Sequence, residues 1–260
     1  MIDRALSHRS PRARRAVRSA AALLAVAGLV SLTGPAAAAT GLPAGVTREA
    51  AATPSTARVG ALFAGDLDAG HHCTASVVRS AGRDVIVTAA HCLDGDPSGM
   101  LFAPGFRDGA TPYGVWPLTA VVTDPAWSAG QDPDADVAFA TVAPVDGREV
   151  EDVVGGFPLA DTDPTDPTVT VIGYPRSQDT PLTCTNATDS ISDTQRRIAC
   201  PDLTGGTSGS PWIASDGSLV GVLGGYEGGG TVPEISYSAV LGPTARALYA
   251  RVDTTTSAPC

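Results

Sequence analysis

The chain has no lysine: all 17 of its basic residues are arginine, and they face 27 acidic residues. Six of the arginines and only one aspartate fall in the first 39 residues, so the rest of the chain holds 11 arginines against 26 acids, a net charge of −15. Binding to nucleic acid needs clustered cations on one surface, and this composition argues against it. After residue 32 no run is long and apolar enough to anchor the chain in a membrane. No Cys/His spacing matches a structural zinc site, no sequence repeat is evident, and nothing calls for a metal or an organic cofactor. The excess of acid reads as a solvated surface that keeps the protein soluble.

What the N-terminus does contain is an address. Arg4, Arg9, Arg12, Arg14, Arg15 and Arg18 form a basic region, residues 20–32 an apolar one too short to span a membrane comfortably, and Ala37-Ala38-Ala39 a small-residue cleavage site. Residues 1–39 therefore read as a secretory signal peptide, with general secretion favoured while the Arg14-Arg15 pair leaves twin-arginine export open, and the mature protein as secreted, extracellular and not membrane-bound. Five cysteines in an exported chain imply disulfides with one thiol left over.

Between these ends the pattern is one of short β-branched runs broken by Gly, Pro and Asp: Val59–Phe63, Cys73–Val78, Val85–Thr88, Val115–Val122, Val137–Val142, Val169–Tyr174, Leu219–Leu223 and Ile235–Val240. That rhythm predicts an antiparallel all-β protein. Residues 40–57, rich in Ala, Thr, Pro and Gly, read as a linker or short pro-segment, and 253–260 as a flexible tail. The Pro/Asp-rich stretch Asp161–Pro167 falls near a boundary between two lobes, and residues 243–252, with Pro243 near the start, read as the one convincing helix.

Three segments carry chemistry: Thr88-Ala89-Ala90-His91-Cys92, Asp136-Val137-Ala138-Phe139 and Gly206-Thr207-Ser208-Gly209-Ser210-Pro211. A serine hydroxyl becomes a useful nucleophile when an imidazole takes its proton and a buried carboxylate holds that imidazole in the right tautomer. Asp132, Asp134 and Asp136 are all candidates for the carboxylate. Asp136 is favoured because it opens an apolar strand-like run, where a buried carboxylate needs a partner. Ser208 and Ser210 compete for the nucleophile, and the glycine-rich turn offers the backbone N–H groups of Gly206 and Ser208 to a developing oxyanion.

In these segments, over roughly residues 58–252, the chain resembles the trypsin/chymotrypsin superfamily of serine endopeptidases, and more closely its secreted bacterial trypsin-like and V8-like (glutamyl-endopeptidase-like) branch. The order His, Asp, Ser agrees with that superfamily, and position 210 is Ser, which rules out the Gly-x-Ser-x-Gly elbow of the α/β-hydrolases. The resemblance implies two antiparallel six-stranded β-barrels, about 58–150 and 151–252, with a C-terminal helix and the substrate cleft between the barrels. It implies catalytic roles for His91, Asp136 and Ser208, and a bridge Cys73–Cys92; Cys184 and Cys200 flank a polar hairpin-like segment just ahead of the nucleophile turn and are paired on that ground, leaving Cys260 over. It also implies a monomer acting on protein or peptide substrates. Thr207 stands where animal members carry the aspartate that pairs with a newly cut N-terminus, so activation through that ion pair is not expected.

Specificity stays open. Asp202, six residues before Ser208, is where trypsin-like members place an acid for a substrate Arg or Lys, but after Cys200-Pro201 it reads equally as a loop residue. The strand ending Leu223-Gly224-Gly225 resembles the wall against which a substrate adds as a β-strand. Glutamyl endopeptidases carry a histidine there and this chain has Leu223, which argues against glutamate preference. A non-catalytic binding protein on the same fold and an esterase using the same three residues are the alternatives.

Overall fold

A computed structural model describes residues 43–94, 97–161, 168–230 and 232–256. The signal-peptide reading, the unpaired Cys260 and the stretch after Asp161 lie outside those residues. The architecture is the expected pair of β-barrels. After a two-residue strand β1 (Arg48–Glu49), the first barrel is built from β2 (Val59–Phe63), β3 (His71–Val77), β4 (Val85–Thr88), β5 (Leu101–Pro104), β6 (Trp116–Thr123) and β7 (Ala138–Val142), closed in the order β2-β3-β4-β7-β6-β5. The second uses β8 (Thr168–Gly173), β9 (Leu182–Ser190), β10 (Gln195–Ala199), β11 (Pro211–Ala214), β12 (Leu219–Leu223) and β13 (Ile235–Val240), and closes through pairing of β8 with β9. The pairings among these described strands are antiparallel.

Burial explains which strands the sequence announces. β2, β4, β7 and β12 are buried at every position, so they read as unbroken apolar runs. β9 and β10 form the hairpin between Cys184 and Cys200, and their Thr, Asn, Asp and Arg side chains are partly exposed, so apolar alternation is absent there. The sequence reading placed a hairpin-like segment there, but β5 and β11, four residues each, were not anticipated.

One apolar core runs across both barrels, from Val59, Phe63 and Phe139 to Ile172, Leu219 and Val222. The C-terminal helix (Pro243–Thr256) closes over it, with Leu248 and Val252 buried and the Tyr249 ring 5.7 Å from that of Phe139. Among the described residues no helix is long and apolar enough to cross a membrane.

From Pro43 onward, the stretch read as a linker or pro-segment is built into the fold. The Pro43 carbonyl accepts from Asn186, the Gly45 N–H donates to the Ala199 carbonyl, the Thr47 hydroxyl donates to Pro201 at 2.6 Å, and β1 pairs with β9. Gly45 lies against the second disulfide so closely that a Cβ there would meet Cys184 Sγ at 2.7 Å. A composition rich in Ala, Thr and Gly carries no signal of this, because the contacts are made by backbone and by small side chains.

Candidate active site

β4 delivers the candidate base. Its chain leaves the barrel at Thr88, extends through Ala89 and enters a single 3₁₀ turn, Ala90–Leu93, that holds His91. The next residue, Cys92, is bonded to Cys73 of β3, so the turn is tied covalently to the neighbouring strand. Cys184 and Cys200 form the second bridge.

Asp136 sits between a 3₁₀ turn (Pro133–Ala135) and β7, fully removed from solvent. Its carboxylate receives three N–H donors: the His91 ring at Nδ1 (2.8 Å), the His91 backbone (2.9 Å) and the Gly225 backbone (2.6 Å). Burial alone would push the carboxyl up. The hydrogen bond from the His91 ring, the charge interaction with it and the two backbone donors outweigh that, and Asp136 is held below the usual carboxylate range. An ionised carboxylate only accepts, so Nδ1 carries a proton, and in the neutral ring Nε2 is the lone-pair acceptor. Asp132 and Asp134 occupy the exposed turn just before, where Asp132 caps the backbone of Asp134. Neither of them contacts the His91 ring.

The candidate nucleophile comes from the second barrel. Ser208 is half-buried in the turn between β10 and β11, whereas Ser210 is fully buried, its hydroxyl without a partner among the described residues. Gly206 has φ +103°, and a Cβ there would collide with the backbone N of Arg176 and, at 2.6 Å, the Tyr174 carbonyl, so only glycine fits. Two carbonyl anchors orient the turn: Gly205 C=O accepts from Arg176 N–H (2.7 Å) and Thr207 C=O from Ser210 N–H (3.0 Å). In a trans peptide the C=O and the following N–H point in opposite directions. The anchors therefore aim the N–H groups of Gly206 and Ser208 the other way, and among the described residues neither donates to any acceptor.

His91 and Ser208 line one cleft of about 350 Å³, joined by Trp127, Gln131 and Gly225. Trp127 lies 6.4 Å from the His91 ring and donates its indole N–H to Asp94. Sequence reading missed both its place and the role of the Gly225 N–H in holding Asp136, since each depends on chain folding far from the motifs. Of the groove residues, Leu223 is buried with N–H and C=O engaged by Ser210 and Gly209, and Gly225 donates to Asp136 and accepts from Gly228. Gly224 donates to Tyr237, and its carbonyl alone among these groups is free of a described partner. Asp202 is exposed, at φ +67°, and does not line either cavity beside Ser208. The cluster of Cys73, His91 and Cys92 would suit a metal by distance, but both sulfurs are consumed in the disulfide.

Residues 73–222 match the family model of the trypsin-like peptidase domain. No curated protein matches the chain significantly by sequence. Among solved structures, the chain is similar to the protease Anisep of Arthrobacter nicotinovorans (23% identity, TM-score 0.67, 82% of this chain and 100% of that one). It is also similar to the thermostable serine protease AL20 from an extremophilic microorganism (27% identity, TM-score 0.67, 78% and 100%). A third is a Glu endopeptidase (16% identity, TM-score 0.66, 82% and 98%).

Proposed function

The chain belongs to the trypsin-like peptidase family and is a serine-type endopeptidase, and on that premise we propose that it hydrolyses proteins through an acyl-enzyme on Ser208 with His91 and Asp136 completing the triad. His91 Nε2 takes the Ser208 proton as the hydroxyl attacks the scissile carbonyl, and the same nitrogen returns it to the leaving amine. Asp136 holds the tautomer and stabilises the imidazolium that forms. The oxyanion is received by the Gly206 and Ser208 N–H groups, and water then cleaves the ester by the same route. The observation that carries this reading is the three-donor cage around Asp136, which fixes His91 in the tautomer a base requires. No cofactor enters the scheme. We place the mature enzyme outside the cell, as a monomer acting away from nucleic acid and membrane, on the strength of the arginine-rich leader, the acidic remainder and the two disulfides.

The test is labelling with a fluorophosphonate followed by peptide mapping. The adduct is expected on Ser208, and Ser208→Ala is expected to lose the label and on the order of 10⁴-fold or more in kcat against a protein substrate. Label on Ser210, or a Ser208→Ala enzyme that keeps most of its activity, overturns the assignment. A protein that hydrolyses small esters but no peptide would be the esterase alternative.

A further inference from the structure

The second cavity touching Ser208 has a volume of about 440 Å³, and its composition decides what it accepts. One wall is the segment Leu203–Ser208, the opposite wall is Gly228–Gly230, and Leu223, Val232, Pro233 and Ile235 complete the lining. Among the described residues no ionisable side chain lines it. The acids nearest in sequence are not among its lining: Asp202 is exposed in a left-handed turn, Glu227, also exposed, accepts the Tyr237 hydroxyl at 2.9 Å, and Glu234, between the lining residues Pro233 and Ile235, is exposed. A Cβ placed on Gly228 or Gly229 would meet nothing within 4 Å, so both glycines border open space.

Resting on the assignment of Ser208 as nucleophile, the geometry points to a substrate class: peptides whose residue on the acyl side of the cut bond is large and uncharged, such as Phe, Tyr, Leu or Met. A charged side chain entering this cavity would lose water and meet no counter-charge, whereas an apolar one exchanges water for the Leu203, Leu223 and Ile235 side chains. The enzyme is therefore not selective for arginine or lysine, although the family is trypsin-like, and Asp202 takes no part in choosing the substrate. Nor does the cavity offer a cation or an imidazole to a glutamate.

The experiment is a positional peptide library digested by the secreted protein and by Asp202→Ala, with fluorophosphonate labelling of both run alongside. Cleavage after Phe, Tyr, Leu or Met is expected to exceed cleavage after Arg, Lys, Glu or Asp by about 100-fold or more in kcat/KM, with the same profile for both proteins. Preferred cleavage after Arg or Lys, whether or not Asp202→Ala abolishes it, would overturn the proposal, and so would preferred cleavage after Glu or Asp. Labelling of Ser208 without cleavage of the apolar peptides defeats the selectivity alone. Absence of both labelling and cleavage defeats the nucleophile assignment on which it rests.

Discussion

The hydroxyl of Thr74 donates to the carbonyl of Gly206 at 3.0 Å, joining two residues 132 positions apart in the chain. The same oxygen accepts the Tyr174 N–H at 2.9 Å, the Thr74 N–H donates to the Ser208 carbonyl at 2.8 Å, and the Thr74 carbonyl accepts the Thr88 hydroxyl at 2.7 Å. Thr88 ends the strand that delivers His91, and Cys73 next door carries the disulfide to Cys92. A single, fully buried threonine thus links the strand end before the candidate base to the turn bearing the candidate nucleophile.

Thr74→Val keeps the shape but leaves the Gly206 carbonyl and the Tyr174 N–H buried without partners, at about 1–3 kcal/mol for each group. The expected result is a fall in kcat of roughly 10- to 100-fold with KM little changed, because the Ser208 turn loses its fixed position relative to His91. Thr74→Ser, which retains the hydroxyl, should restore most of it. Steady-state kinetics with a chromogenic peptide and urea unfolding of both variants make the comparison. A Thr74→Val enzyme that loses stability but no kcat would show that the residue is structural only.

The three motif segments were legible because each is local: a histidine before a cysteine, an aspartate before an apolar run, a serine inside a glycine turn. The barrels were legible where strands are buried on both faces, as in β4 and β7. What escaped were relations between distant segments. Nothing near Thr74 in sequence announces its bond to Gly206, and nothing in Leu223-Gly224-Gly225 distinguishes a substrate wall from a donor to Asp136. Asp202 shows the converse: its spacing from Ser208 suited a charge-selecting role, but the left-handed turn leaves it exposed, outside the cavity. Polar β9 and β10 were legible only as a hairpin-like segment flanked by Cys184 and Cys200, not as strands, because their exposed faces carry no apolar period.

A second histidine bears on stability. His71, buried at the start of β3 with its ring edge-on to Phe63, Phe106 and Tyr174, donates from Nε2 to the Gln178 carbonyl at 3.1 Å. Burial pushes its pKa below the ordinary 6.5, against the pull of the Gln178 carbonyl and of Asp179, while His72 and Arg176 add to the lowering. Below pH 6.5 the unfolded chain binds a proton that the folded chain refuses, so the stability His71 contributes is complete above 6.5 and is lost as pH falls toward the folded value. The urea midpoint of the native protein should therefore drop between about pH 7 and pH 5, and the slope should be shallower in His71→Phe, which keeps the aromatic packing without a titrating group. Parallel slopes for the two proteins would remove His71 as the cause.

The donors around Asp136 make the asparagine variant more damaging than loss of charge alone. Oδ1 accepts the His91 backbone N–H while Oδ2 accepts the His91 ring and Gly225 N–H groups, so every way of seating an amide NH₂ faces it against at least one donor. With the NH₂ at the Oδ2 position the ring must accept at Nδ1 and carry its proton on Nε2, which is useless as a base; with it at Oδ1 the His91 backbone loses its acceptor. Asp136→Asn should accordingly lose about 10⁴-fold in kcat near neutral pH. It should also lose about 3 kcal/mol of stability, as a broken buried charge cluster does. Because the folded pKa of Asp136 lies below the ordinary 3.8, the native advantage over this variant is fully present above that value and shrinks as pH falls through the folded pKa. Asp134→Asn, altering an exposed carboxylate in the preceding turn, serves as the control and should leave kcat and the acid-unfolding curve within about twofold and 0.5 kcal/mol of the native protein. Rates and acid titrations of unfolding for the three proteins decide the matter: a larger loss from Asp134→Asn than from Asp136→Asn would move the orienting carboxylate to the wrong side of the turn and break the assignment of His91 with it.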